Sequence, residues 1–357
     1  MSIAPTSTTT SERIRTVTLI TLATLAVIAA LYLGREFFVP IALAVFFNTL
    51  LRPLVRRMEA FGMPTAAAAA VVVLTLLATA VGSGVLLSRP ARTWIADAPE
   101  NLHAAQTRLR AIWKPFQQMS AAAADLSSAT SPAAGTNKTV TMAAPSSRFV
   151  DTIFGTTENV IAAGIEVVLL LYLLLAAGGL FFVRLVGVIP ARADKRTAAH
   201  IAAAVEHSVG QYLGTTAIIN LAQALLVGLS MWALGMPAPA LWAALAFALE
   251  FIPYVGGAVL VALLSISAIA TFDSFGRAVM IPIAYLVISL LQNNVASPVF
   301  YGNRLKLNAV AVLLAVLFWG FVWGAAGAFL AVPILAAGKV LCDHLESLGP
   351  LGKFLEA

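Results

Sequence analysis

Long apolar runs alternate with short polar connections along most of the chain. A helix that crosses a bilayer needs roughly 20 apolar residues, and six runs approach or reach that length. The predicted simple spans are 16–34, 37–51, 65–87, 160–183, 213–234 and 277–295. Two further apolar stretches, 240–271 and 309–338, are longer than one simple span and are interrupted inside. The pattern predicts an all-α membrane protein with about six simple spans and two broken or re-entrant segments.

Composition supports this class, because 60% of the residues are hydrophobic and only 11% are charged. Soluble domains are closer to ~45–50% apolar and ~25% charged. The net charge of +6 comes from basic residues in the short connections, which is typical of membrane orientation and not of nucleic-acid binding. Cys342 is the only cysteine and the four histidines are scattered, so we expect no disulfide, metal site or cofactor.

The basic residues predict the orientation of the chain. They lie before the first predicted span and after the second and fourth, so the positive-inside rule places both termini in the cytoplasm. The predicted parts are a cytoplasmic tail (1–15), three spans (16–87), an extracytoplasmic segment (88–149), a transport core (150–338) with a cytoplasmic linker helix (190–211), and a cytoplasmic tail (339–357). A bacterial inner membrane is the expected location.

The extracytoplasmic segment divides into two parts by composition. From Trp94 to Phe116, apolar residues recur at three- and four-residue steps, which predicts an amphipathic helix. This helix could lie on the membrane, pack on a neighbouring subunit, or serve as a solvated spacer. Residues 120–147 are rich in Ala, Ser, Thr and Pro, which predicts a flexible linker.

Each long apolar stretch is broken by helix-weakening residues. The first contains Pro253, Tyr254, Gly256 and Gly257, and the second contains Gly320, Gly324, Gly327 and Pro333. Each stretch could be one tilted helix or a re-entrant hairpin. Hairpins keep Arg304 and Lys306 on the cytoplasmic side, so charge favours them. Paired interruptions also indicate the binding site of a secondary transporter, which we expect between the two broken segments.

Polar residues at membrane depth are the candidate ion- and solute-binding groups. Glu250 stands at the first break, where a carboxyl group could carry a proton or could hydrogen-bond the unwound backbone. Gln292, Asn293 and Asn294, followed by Pro298, could line a cavity or join neighbouring helices. The weaker candidates are Glu166, Gln211, Asn220 and Gln223. Nucleotide-binding, zinc-protease and serine-hydrolase motifs are missing from the sequence, so we expect a protein that is not an enzyme.

The second half resembles the autoinducer-2 exporter family of bacterial permeases. The resemblance rests on the order and spacing of several short motifs. They are Gln211-Tyr212-Leu213-Gly214, Leu234-Gly235-Met236-Pro237, Phe251-Ile252-Pro253-Tyr254-Val255-Gly256-Gly257, Gln292-Asn293-Asn294, Pro298-Val299-Phe300-Tyr301-Gly302 and Leu330-Ala331-Val332-Pro333. Gly257 and Ala309 depart from the family, which commonly has proline at both positions.

The resemblance implies a secondary transporter that forms homo-oligomers. The family name refers to export of a quorum-sensing sugar derivative, and other members are associated with sodium/proton antiport. The leading hypothesis is therefore a proton- or ion-coupled exporter of a small polar solute, with Glu250 as its coupling residue. One alternative is Na⁺ or Li⁺ exchange for H⁺ on the same fold. Another is a membrane scaffold or sensor that does not transport and binds a partner through residues 88–149.

Overall fold

A computed structural model describes residues 8–128, 157–178, 192–301, 307–344 and 349–355. This part of the chain is helical. Its α-helices are α1 (Thr8–Leu33), α2 (Arg35–Ala60), α3 (Thr65–Ser128), α4 (Thr157–Ala177), α5 (Arg192–Ala233), α6 (Pro239–Leu249), α7 (Val255–Thr271), α8 (Phe275–Leu291), α9 (Ser297–Tyr301), α10 (Ala309–His344) and α11 (Gly349–Leu355). A π-helical turn, Gln292–Ala296, joins α8 to α9.

Six helical stretches of the described chain are long and apolar enough to cross a membrane. They are Ile14–Leu33, Arg35–Ala60, Thr65–Asp97, Ala199–Ala233, Phe275–Phe300 and Ala309–His344. Shorter apolar helices cover Ala162–Ala177, Pro239–Leu249 and Val255–Thr271. The prediction of an all-α polytopic membrane protein is confirmed.

Helix α5 shows how such a protein is solvated. One face exposes large apolar side chains, among them Leu221, Leu225 and Leu229, each more than half exposed. The opposite face buries the polar side chains of Asn220 and Gln223. A helix of a water-soluble protein exposes polar side chains and buries apolar ones, so the distribution on α5 is reversed. It is stable where lipid contacts the outside of the protein.

Several helices continue beyond the apolar runs from which they were predicted. Helix α2 passes through Pro40 and Pro53 to end at Ala60. The third span and the amphipathic helix that follows it are one 64-residue helix, α3. The segment predicted as a flexible linker is helical as far as Ser128, and its remaining residues lie outside the described chain.

Two further predicted spans are also continuous with the segments next to them in the sequence. The described part of the predicted linker helix and the span after it form the single 42-residue helix α5. The predicted C-terminal tail begins inside α10, which ends at His344, and α11 packs on α10. The main-chain N–H of Asn308 donates to the carbonyl of Leu355, 3.0 Å away.

The chain forms two compact units. Unit 1 consists of Met1–Val73, Thr156–Gln211 and Leu307–Ala357, and unit 2 of Leu74–Gly155 and Tyr212–Lys306. Helices α3 and α5 therefore begin in unit 1 and continue in unit 2. The broken segment with Glu250 belongs to unit 2, and the glycine-rich one belongs to unit 1.

In unit 1, α2 packs against α4, α10 and α1. The buried guanidinium of Arg52 donates to the carbonyl of Leu175, 3.0 Å away, near the end of α4. A cation suits this place because the last carbonyls of a helix carry partial negative charge. On α10, the indole N–H of Trp323 donates to the carbonyl of Leu31 on α1, 3.1 Å away.

In unit 2, α7 packs between α6 and α8 around a buried apolar cluster. The cluster includes Trp242, Leu260, Leu264 and Ile281, each at most 1% exposed. Trp94 of α3 packs against this cluster, and its indole N–H donates to the hydroxyl of Ser267 at 3.2 Å. The inner helices of unit 2 are thereby held in a fixed arrangement around the first break.

Both broken segments reverse direction by the same device. At the first break Tyr254 has φ 63°, and at the second Gly324 has φ 65°. Gly324 divides α10 into two helical parts. Gly256 and Gly327 follow within three residues of the positive-φ residues, and each lies directly against a main-chain carbonyl of the helical part before the break, that of Leu249 and of Trp319 respectively. Only a residue without a Cβ allows such an approach. The predicted interruptions are therefore present in both segments.

We predict that Gly327→Ala destabilises unit 1, because the new Cβ would overlap the Trp319 carbonyl and force the hairpin open. Overpacking of this kind costs about 1–3 kcal/mol or more, so the thermal unfolding temperature in detergent should fall clearly. Gly338→Ala on the same helix is the matched control, because its Cβ would meet open space. Equal unfolding temperatures for the two variants would contradict the close approach.

Candidate functional site

Glu250 directly follows α6, at the start of the first break. Its carboxylate Oε1 accepts two hydrogen bonds from other helices of unit 2. The hydroxyl of Tyr285 on α8 donates at 2.5 Å, and Nε2 of Gln223 on α5 donates at 3.0 Å. Glu250 therefore joins three helices at one oxygen atom.

The two donors of this carboxylate are fully enclosed by protein. Tyr285 is 0% exposed and Gln223 is 2% exposed, whereas Glu250 itself is half-buried. Gly257 of α7 completes the site, because a Cβ there would lie 3.1 Å from the Tyr285 hydroxyl and 3.8 Å from Glu250 Oε1. Glycine at this position leaves room for the phenol to reach the carboxylate.

Both hydrogen-bond donors to Glu250 are neutral. Within the described residues, the ion pairs join Arg56 to Glu206 and Lys339 to Asp343, both in unit 1. No basic side chain of the described chain pairs with Glu250. The carboxylate therefore has hydrogen bonds to its charge but no counter-charge within the described chain.

Amide groups near this carboxylate retain unused hydrogen-bonding atoms. Nδ2 of Asn220 and Oε1 of Gln223 are buried and have no partner in the described structure. The two residues are three positions apart on α5, so they share one helix face. A buried donor and a buried acceptor without partners are costly, and a polar solute, a cation or water could satisfy them. Among the described residues, no group of three or more His, Cys, Asp or Glu could hold a metal ion.

The three adjacent amides, Gln292, Asn293 and Asn294, lie in the π-helical turn. Oε1 of Gln292 is buried and has no partner among the described residues. Asn293 and Asn294 are exposed and hydrogen-bond within their own helix, to Ser289 Oγ at 3.4 Å and to the Leu290 carbonyl at 2.9 Å. Pro298 is exposed on α9.

The other predicted candidates differ in their surroundings. Pro253, Tyr254 and Gly256 form the turn after Glu250, with Tyr254 exposed and Gly256 buried. Gln211 is exposed on α5. Glu166 is half-buried on α4, in unit 1.

Gly324 and Gly327 form the break of unit 1, and Glu250 belongs to unit 2. A site between the two broken segments stays a prediction.

Tyr285 is a site residue that the sequence analysis missed. A tyrosine in an apolar span is typical of core packing, and its link to Glu250 joins residues 35 positions apart. A local signal exists, because Tyr285, Ser289 and Asn293 recur every four residues on one face of a helix. The spacing places a line of polar groups on an otherwise apolar span.

Comparison with known proteins identifies the family. The model of the AI-2E family of transporters matches residues 21–347. The chain belongs to the AI-2E transporter family. The resemblance noted in the sequence is therefore confirmed, and with it the assignment to a family of multi-pass membrane transporters.

Individual AI-2E relatives are similar over part or most of their length. The "AI-2 transport protein TqsA" of Escherichia coli (strain K12) is 33% identical over 38% of this chain and 40% of its own length. A "Putative transport protein" of Borreliella burgdorferi is 28% identical over 42% of each chain. The "Putative transport protein MT0215" of Mycobacterium tuberculosis is 26% identical over 84% of this chain and 80% of its own. The matched region spans about two fifths of the first two relatives.

We predict that Glu250→Leu destabilises this AI-2E protein, whereas Glu250→Gln does not. Leucine would leave the Tyr285 hydroxyl and the Gln223 amide without an acceptor, at a cost of about 1–3 kcal/mol for each unsatisfied group. Glutamine keeps a carbonyl oxygen for both donors. Thermal unfolding in detergent measures the difference, and equal losses for the two variants would show that the hydrogen bonds contribute no stability.

Proposed function

We propose that this AI-2E protein is a secondary transporter in which Glu250 couples proton movement to export of a small polar solute. The observation that carries the proposal is the Glu250 carboxylate at a helix break, held by two neutral donors, with no basic partner in the described chain. Burial of the ionised form of a carboxyl group is costly. A carboxyl group whose access to water differs between its ionised and protonated forms can load and release a proton.

The break supplies a place where access can change. Residues 250–254 connect α6 to α7 through the left-handed backbone of Tyr254, and irregular backbone at membrane depth is tolerated where it lines a cavity or is enclosed by protein. A small motion of this connection would move Glu250 relative to Gln223 and Tyr285. Protonation would weaken both hydrogen bonds, since each donor prefers a charged acceptor.

The unpaired amide atoms support a polar solute at the same site. Asn220 offers a donor and Gln223 an acceptor on the helix face that reaches Glu250. A ligand with hydroxyl groups satisfies both, because a hydroxyl donates and accepts. Binding next to the carboxylate would let the solute and the proton influence each other's affinity.

Exchange of Na⁺ or Li⁺ for H⁺ is the second candidate function. It is favoured by Gln223 Oε1, a buried acceptor without a partner in the described structure, on the side chain that hydrogen-bonds the Glu250 carboxylate. Hard cations bind to oxygen atoms of this kind, although the donor at Asn220 suits them less. The two functions can be distinguished by the substance that drives proton movement across the membrane, which is the organic solute for export and Na⁺ or Li⁺ for antiport.

We predict that Glu250→Gln abolishes coupled transport while the protein stays folded. Inside-out vesicles with an imposed proton gradient, a proton-sensitive dye and additions of Na⁺, Li⁺ or autoinducer-2 measure the coupling. Dequenching by the organic solute alone supports export, and dequenching by a cation alone supports antiport.

Glu36→Gln is the control for this experiment, since Glu36 is an exposed residue of the first turn of α2. Undiminished dequenching with Glu250→Gln would remove Glu250 from the mechanism. If deletion of residues 88–149 abolishes the function of the protein while Glu250→Gln leaves that function unchanged, the scaffold or sensor hypothesis is favoured.

We further propose that the chain lies in the bacterial inner membrane with both termini in the cytoplasm and that it assembles as a homo-oligomer. The positive-inside rule supports the orientation. A cysteine at position 303, in a Cys342→Ser background, should react with an impermeant maleimide only from the cytoplasmic side. Reaction from outside the cell would reject re-entrant hairpins in favour of full spans.

A further inference from the structure

A line of hydrogen-bonding side chains leads away from Glu250 along α8. The Tyr285 hydroxyl donates to Glu250, and Ser289 lies one turn along the same face of α8, close enough for its hydroxyl to interact with the phenol. One turn further on, Asn293 Nδ2 donates to Ser289 Oγ at 3.4 Å. The three residues of α8 and the π-helical turn are spaced by four, so one helix face carries the whole line.

The line runs from the interior of unit 2 to its surface. Tyr285 is 0% exposed, Ser289 is half-buried and Asn293 is exposed. It ends in the π-helical turn Gln292–Ala296, a distortion that is frequent at functional sites. The carboxylate is thereby connected to the surface by side chains.

The hydroxyl groups of α8 and the amide of Gln223 differ in whether they can pass on a proton. A hydroxyl group donates one hydrogen bond and accepts others, so it can take up a proton on one side and release one on the other. Tyr285 and Ser289 have this property. Gln223 does not, because its amide nitrogen only donates, and we assign it to holding the carboxylate in place. Of the described groups that contact this carboxylate (Gln223, Gly257 and Tyr285), none is charged.

We propose that Tyr285 and Ser289 form the proton relay of Glu250. This inference rests on the proposed coupling role of Glu250 and goes beyond it, since it names the route by which the proton arrives. Two atoms of the α5 amides, Asn220 Nδ2 and Gln223 Oε1, then remain available to the solute. The proton and the solute would therefore approach the carboxylate along different helices.

The relay transfers one proton without any redox change. The O–H bond of Tyr285 breaks as an O–H bond forms on Glu250. The phenol oxygen takes the proton of Ser289, and Ser289 takes one from a hydronium ion, which leaves as water. Reversal of the same steps releases the proton.

The test follows the protonation of Glu250 directly and needs no solute. A light flash releases protons from the caged-proton compound 2-nitrobenzaldehyde in a solution of the purified full-length protein. Time-resolved infrared spectroscopy then records the protonated-carboxyl band that Glu250→Gln removes. We expect Tyr285→Phe and Ser289→Ala to slow the rise of this band by about tenfold or more, as removal of a positioned proton-transfer group does.

Ser289→Thr keeps the hydroxyl and should restore the rate, which a loss of packing alone would not explain. Ser265→Ala is the control, because the Ser265 hydroxyl bonds the Val261 carbonyl of its own helix, α7. An unchanged rate in both Tyr285→Phe and Ser289→Ala would overturn the relay and leave the role of Glu250 intact. If the wild-type protein shows no band that Glu250→Gln removes, the coupling role itself is overturned and the relay with it.

Discussion

The arrangement of unit 2 depends on how one carboxylate is accommodated in apolar surroundings. Glu250 stands where α6 ends, so its side chain is free to meet groups from other helices. Its Oε1 is the shared acceptor for Tyr285 of α8 and Gln223 of α5. A buried tyrosine hydroxyl or glutamine amide without an acceptor is costly, so the carboxylate satisfies these donors while they compensate its partial loss of water. The same contacts that stabilise the helix arrangement therefore hold the group that we propose to carry the proton.

Much of this fold is readable from apolar run length and from the helix-breaking residues. The interruptions at Pro253 and Gly324 were predicted because proline and glycine disfavour a continuous helix at membrane depth. The continuous helices α3 and α5 were not predicted, because hydropathy marks where a helix leaves the apolar layer and not where it ends. Residues 88–128 become polar yet keep the helix of the span before them.

The site was predictable only where a single residue carries the signal. Glu250 is an acid in an apolar break, and Asn220 and Gln223 are amides in a span, so each stood out alone. Tyr285 did not, because its role comes from a contact with a residue 35 positions away, and sequence spacing gives no measure of that distance. The four-residue spacing between Tyr285 and Ser289 is visible in the sequence. It indicates a site only when the structure shows that Tyr285 hydrogen-bonds Glu250.

The two breaks share a backbone device and differ in chemistry. Each places a left-handed residue, Tyr254 or Gly324, shortly before a glycine that touches a carbonyl of the preceding helix. At the first break the reversal presents Glu250. At the second, Gly327 lies against the main-chain carbonyl of Trp319 and the side chain of Trp323, and the Trp323 indole donates to the backbone of α1. If reversal alone sufficed for function, either break could carry the coupling group. Among the described residues, the first break presents a carboxyl group with neutral donors, so we assign the proposed proton coupling to unit 2. The second break is instead joined to α1 by the Trp323 indole.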